Sequence, residues 1–273
     1  MAEYFFNGQR SRLSVRTAYR DIFSAIVLFP LCWYLGWGDV RQRYVRTFLG
    51  PLWIIIGTGL WVAVMGFVMS ALFGNSLRQT LPFIASGVIV WNFMANIMNE
   101  GCQLFIMNAQ LIQAVHLPIS VHTMRFLIKH IIMLAHNVFI LILVFALCRV
   151  PIDANTLLVI PGLLLLFMNA FWVGMVLGFL NARFRDINQI VATSMTVLPF
   201  VTPIFWEKTF LKKHPWIANI NPFYHFVEVV RAPLLGQSSE LLSWVVAIGF
   251  TIVGSLMMVL VFSRCKHRLV FWL

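Results

Sequence analysis

Few residues in this chain could do chemistry, and most carry positive charge. Arg41, Arg43 and Arg46 fall within DVRQRYVRTFLGPLW (Asp39–Trp53), just ahead of Gly50-Pro51 and an uncharged apolar run that reaches about Leu77. Guanidinium groups bind phosphate through paired donors. They are costly in hydrocarbon and favourable at an anionic cytoplasmic leaflet. Glu100, Arg125 and Lys129 stand where apolar runs end or begin. A charge inside hydrocarbon costs at least about 2.5 kcal/mol, so each must pair, reach water or line a path. Snorkelling to the interface is the favoured reading for Arg125 and Lys129. Glu228 and Arg231 are spaced i, i+3, which would let them pair on one helical face.

No catalytic motif accompanies these charges. The sequence lacks G-x-x-x-x-G-K-[ST], H-E-x-x-H and G-x-S-x-G, so this chain is not expected to hydrolyse ATP or to act as an enzyme. Cys32, Cys102, Cys148 and Cys265 form no C-x-x-C pair and read as small buried hydrophobes rather than ligands or a disulfide. His130 and His136 are six residues apart, on opposite faces of one helix, which is poor for a shared metal. His136-Asn137 reads instead as a hydrogen-bonding pair to a neighbouring helix.

The elements that position these residues follow from composition. The 273 residues are 60% hydrophobic and only 11% charged. Soluble domains carry about 25% charge, so this is an all-α integral membrane protein with no room for a large soluble domain. The net charge of +11 flanks apolar runs rather than clustering on a soluble module, which argues against nucleic acid. No early apolar core with a small-residue cleavage site marks a signal peptide. The first apolar run, Ile22–Gly38, is short and broken by Pro30, and an interfacial or re-entrant helix is favoured over a true span.

Six longer segments follow, near 51–73, 81–99, 126–148, 156–182, 187–206 and 241–263. With the N-terminus inside, the inner side holds Arg10, Arg12, Arg16, Arg20, Arg41, Arg43, Arg46, Arg125, Lys129, Arg183, Arg185, Arg264, Lys266 and Arg268. Only Arg78, Arg149, Lys208, Lys212, Lys213 and Arg231 fall outside. That bias predicts both termini in the cytoplasm. The connection 103–124 predicts a short helix lying against the membrane or a partner. The proline-punctuated stretch 207–240 predicts two short helices dipping back from the outer side. Trp61, Trp91 and Trp172 fall inside spans, where packing or lipid contact is the ordinary reading and an aromatic-lined path the functional one.

With these pieces in place, the chain resembles the permease subunits of ABC-2 type polysaccharide exporters of the O-antigen (Wzm) type, with capsule and teichoic-acid exporters as relatives. The likeness rests on GDVRQRYVRTFLGPLW (Gly38–Trp53), WNFMANIMNEG (Trp91–Gly101), NAQLIQAVHLP (Asn108–Pro118), NARFRDI (Asn181–Ile187) and NINPFYHFVEVVRAPLLG (Asn219–Gly236). It implies one transmembrane domain over 1–273: an N-terminal interfacial region (1–50), six spans (51–263) and a cytoplasmic tail (264–273). The resemblance further implies a homodimer in the bacterial inner membrane, docked on two copies of a separate ATP-binding subunit. That subunit would hold ATP and Mg2+, with no cofactor bound by this chain. The cargo implied is an undecaprenyl-linked polysaccharide.

Carried onto this sequence, the resemblance puts the main coupling helix at Asn108–Pro118, including Gln110, Leu111, Gln113 and His116. Arg183, Arg185 and Asp186 would form a second contact. Arg41, Arg43 and Arg46 would meet the lipid-linked headgroup. Trp206, Trp216, Asn221, Pro222, Tyr224, Glu228 and Arg231 would form the outer gate. Trp61, Trp91, Trp172, Phe200 and Phe205 are the candidate channel aromatics. Rival readings are an ABC-2 exporter of drugs or lipids, a membrane-embedded transferase and an ion-coupled transporter. A transferase would need an acidic or His cluster at one face, and an ion-coupled transporter inverted repeats.

Overall fold

A computed structural model describes residues 15–115, 117–211, 214 and 216–273. Among these, twelve α-helices and short 3-10 turns make up the regular structure, with no strand. Helices α1 (Val15–Val27) and α2 (Phe29–Arg43) meet at a 73° bend. The bend has a local cause: Pro30 has no N–H to continue the α1 ladder and disfavours helical geometry before it.

Among the described residues, five helices are long and apolar enough to cross a membrane: α3 (Leu52–Phe73), α4 (Leu77–Met107), α6 (Ile119–Cys148), α7 (Val159–Arg183) with the 3-10 turn before it, and α11 (Leu241–Cys265) with the short helices after it. The bent α1–α2 pair would add a sixth only if its two halves formed one broken span, and α8 (Asp186–Val201) is shorter than the five. Its 16 helical residues reach only about 24 Å, so the fifth expected segment is completed by non-helical chain from Thr202 to Trp206. Pro203 sets this end. The residue before a proline is driven to extended geometry, and Thr202 has φ −89° and ψ 134°.

Successive helices run up and down between two ends. At one end lie α5 (Ala109–Ala114), the start of α6 and α12 (Leu269–Trp272). At the other lie α9 (Trp216–Ile220) and α10 (Pro222–Leu234), between α8 and α11. The sequence expectation of helices in 103–124 and 207–240 is met, but the boundaries move. Helix α4 runs eight residues past the expected end at Asn99, and α6 begins seven before Phe126. At 31 residues α4 spans about 46 Å and outreaches a hydrocarbon core of about 30 Å.

The core lies where α4 meets α6, α7 and α10. A Cβ on Gly101 would stand 3.2 Å from the Gly174 Cα, so α4 and α7 approach closely through paired glycines. Polar side chains join α7 to α11. Asn169 Nδ2 donates to Thr251 Oγ1 at 2.6 Å, and Trp172 Nε1 donates to Asn169 Oδ1 at 2.8 Å. Such bonds matter in an apolar medium, where lipid tails offer no alternative partner. His136 departs from expectation: its Nδ1 lies 2.7 Å from the Ile132 carbonyl of its own helix, the preceding turn, rather than on a neighbour.

Candidate functional site

At the α5 end, α2 lies along the first half of α6. Gly36 permits the approach, since a Cβ there would come within 2.9 Å of the Arg125 carbonyl oxygen. Further along α2, Asp39 forms a two-pronged ion pair with Arg125. One turn later, Arg43 Nη1 stands 3.3 Å from Glu100 Oε1. Glu100 also receives Lys129 Nζ at 2.5 Å, and His130 Nε2 lies 3.3 Å away. One carboxylate on α4 thus gathers three nitrogen-bearing side chains from α2 and α6. Arg125 and Lys129 are paired rather than snorkelling, because α2 delivers Asp39 and α4 delivers Glu100. Arg41 and Arg46 are exposed beside this seam, and Arg46 has a left-handed backbone, φ 67°.

Two further contacts close this end. Asp21 on α1 is buried, accepts the Ser120 N–H at 3.0 Å and pairs with Lys266 Nζ at 2.6 Å. Asn181 bridges three helices: its Nδ2 donates to the Cys102 carbonyl at 2.8 Å, and its Oδ1 accepts the Asn188 N–H at 3.0 Å. Arg183 lies over the rings of Phe184 and Trp272, and Arg185 donates to the Trp272 carbonyl at 3.2 Å. The α1–α2 pair therefore stays within the α5 half of the bundle, from Asp21 to Glu100.

None of the residues of α5 is fully buried: Gln110 and Gln113 are exposed and Leu111 is half-buried. Asn108 caps the end of α4 with Nδ2 on the Leu104 carbonyl at 2.7 Å. Pro118 precedes α6, and Asp186 opens α8, where a carboxylate suits the helix dipole. His116 lies outside the described residues.

At the opposite end, the break after α8 is held by α10. Asn221 caps α10 by accepting the Phe223 N–H at 3.0 Å and donates to Thr202 Oγ1 at 2.8 Å. Pro222 sits in the first turn, where its missing N–H costs nothing. Arg231, 4% exposed, donates from Nη1 to the Pro203 carbonyl at 2.6 Å and from Nη2 to Glu228 at 2.9 Å, while its guanidinium covers the Phe83 ring at 4.2 Å. The expected i, i+3 pair exists and serves a wider purpose: it satisfies a backbone carbonyl freed by the helix break. Gly162 on α7 allows a close pass, as a Cβ there would lie 2.7 Å from the Val229 carbonyl oxygen.

The aromatic candidates separate into two groups. Trp91 is buried edge-on to Phe223 at 5.5 Å, Tyr224 is buried, and Trp172 is tied to Asn169. Trp61, Phe200 and Trp216 are at least half exposed. Trp206 Nε1 donates to the Phe200 carbonyl at 3.3 Å, and Phe205 is buried beside Phe200. Sequence reasoning missed Asp39 and Asp21 as partners. A lone acid amid arginines was the available signal for each. The Thr202–Pro203 break was legible as a proline but not as a socket for Arg231.

The described residues thus form an all-α membrane domain in which the chain after α8 is broken at Pro203 and braced by α10. The pattern of the ABC-2 type transporter family matches residues 30–235, from α2 to the end of α10. The chain belongs to the ABC-2 type transporter family. Two proteins of Klebsiella pneumoniae, each an O-antigen export system permease protein RfbA, are 25% and 23% identical to it over 259 residues, covering 88% of this chain and 94% of each relative.

Proposed function

We propose that this chain is the membrane subunit of an ATP-driven exporter that moves an undecaprenyl-linked, O-antigen-like polysaccharide across the bacterial inner membrane. It acts as two copies docked on two copies of a separate ATP-binding subunit. The observation that carries the reading is the near full-length similarity to two O-antigen export permeases in a chain that has membrane spans and no phosphate-binding loop.

The excess of arginine and lysine on one side supports a cytoplasmic α5 end and an outer α10 end, with the C-terminal tail inside. The exposed residues of α5 and the Arg183–Asp186 turn are then the contacts with the ATP-binding subunit. Arg41, Arg43 and Arg46 meet the anionic headgroup of the lipid carrier. Arg43 is shared with Glu100, so a headgroup phosphate would compete for a guanidinium already held in place. Differential free energy from the partner's ATP cycle moves α5 and the helices joined to it, and α8 and α10 open at the outer end. A capsule, lipid or drug cargo is the alternative within the same family.

The test is to purify the tagged chain from cells that express its genomic neighbours. An ATP-binding subunit and a lipid-linked glycan should come with it, and the complex in proteoliposomes should move that glycan only with ATP. Charge reversal at Arg43 and Arg46 should abolish movement while the protein still inserts. Unchanged glycan export by that variant would remove the headgroup role.

A further inference from the structure

The α10 end has two open cavities, of about 670 and 510 Å3, that share Phe83, Glu207, Leu235 and Gln237 in their walls. Each falls within the usual range for small-molecule sites, about 300–1,000 Å3. Because the two share these wall residues, they adjoin, and together they make up a cleft inside a single subunit, between the outer ends of α3, α4 and α6 and the chain that follows α8. We propose that this cleft binds saccharide: a short stretch of neutral glycan, held as it leaves the transport path. This rests on the polysaccharide reading above and names a place where the cargo is gripped.

Three observations carry it. The lining combines flat aromatic faces with amides. Phe73 and Phe210 stack at 4.6 Å, both 40% exposed or more, with Trp206 beside them. Sugar rings present C–H faces to such surfaces and hydroxyls at their rims. Asn75, Gln79 and Gln237 supply paired donor and acceptor groups that match neighbouring hydroxyls. By contrast, the cavity of about 340 Å3 between α4, α7, α10 and α11 is walled almost wholly by apolar side chains and has nothing to offer a hydroxyl.

In the second cavity the charges disfavour a phosphate. Lys208 is paired with Glu240 at 2.7 Å, Arg231 with Glu228 at 2.9 Å, and Arg78 Nε is bound to the Cys148 carbonyl at 2.6 Å. Arg149 shares a cavity wall with the carboxylate of Glu207, which also faces the second cavity. In the second cavity an anion would meet Glu207, Glu228 and Glu240, while the first sets Arg78 and Arg149 against Glu207 alone; hydroxyls can use both signs.

The test places a photo-cross-linking benzoylphenylalanine at Phe210 of the full-length subunit, in cells that make the polymer and the ATP-binding subunit. Phe139, exposed on α6, serves as the lipid-facing control. Illumination should attach glycan at position 210 and not at 139. Adding Trp206→Leu or Gln237→Leu should cut the glycan adduct at least about threefold, the size of one lost aromatic or polar contact. Both are scored on equal amounts of membrane-inserted protein. If the cells export glycan but position 210 captures none, captures only phospholipid, or is indifferent to both variants, the cleft proposal is wrong and the export reading stands. If no glycan is exported through this subunit at all, the export reading fails and the cleft fails with it.

Discussion

Arg231 sets its Nη1 2.6 Å from the carbonyl oxygen of Pro203, and so supplies a donor to the non-helical chain that follows α8. The same guanidinium neutralises Glu228 and covers Phe83. Removing it leaves a mostly buried carboxylate, in the wall of the second cavity, and a carbonyl without a donor. Arg231→Met should therefore destabilise the folded protein by about 3–5 kcal/mol. Arg231→Lys should recover little, because one ammonium cannot serve both acceptors in the geometry of a planar fork. Unfolding by SDS titration of the purified chain reads both variants.

Glu100 gathers Arg43, Lys129 and His130, but is itself about 30% exposed, so water softens its loss. Glu100→Gln should cost about 1–3 kcal/mol, below the figure for a dry pair. Arg43→Ala should cost less than about 1 kcal/mol, since its side chain is 47% exposed. The double variant Glu100→Gln with Lys129→Met should cost less than the sum of the two singles, because each single strands the other's charge. The same titration, run as a double-mutant cycle, measures the coupling.

Much of this arrangement was legible before any coordinates. Apolar runs bounded by arginine located the traverses, and Glu228 with Arg231 three residues on announced an ion pair. What the sequence could not express was partnership across long separations. Asp39 meets Arg125 only because Gly36 lets α2 lie against α6. Nothing in the local pattern near Arg125 distinguishes that pairing from snorkelling. Helix ends were misjudged for a related reason. Hydropathy falls at Asn99, yet α4 continues to Met107 because its last turns pack on α6 and α7, and tertiary contact outweighs the polar interruption. Proline was a sounder guide: Pro30 marks the α1–α2 bend, and Pro203 the end of α8.

Gly162 gives a test of packing without charge. Gly162→Ala would press a methyl group against the Val229 carbonyl, with backbone on both sides and little room to relax. A loss of about 1–3 kcal/mol is expected. Gly57→Ala, on α3 with nothing within 4 Å of the added carbon, should be neutral or stabilising by up to about 1 kcal/mol. Melting of the two variants side by side separates crowding from helix propensity.

Helix α3 has only two buried residues, Val62 and Gly66, the latter seated over Leu81. Acyl chains are as oily as its own leucines and phenylalanines, so solvation gives it no reason to prefer one orientation. What holds it is one side only, where it lies along α4 and α6 with Ile55, Met65 and Met69 against the core, so its other face is left to lipid or to a second copy of the chain.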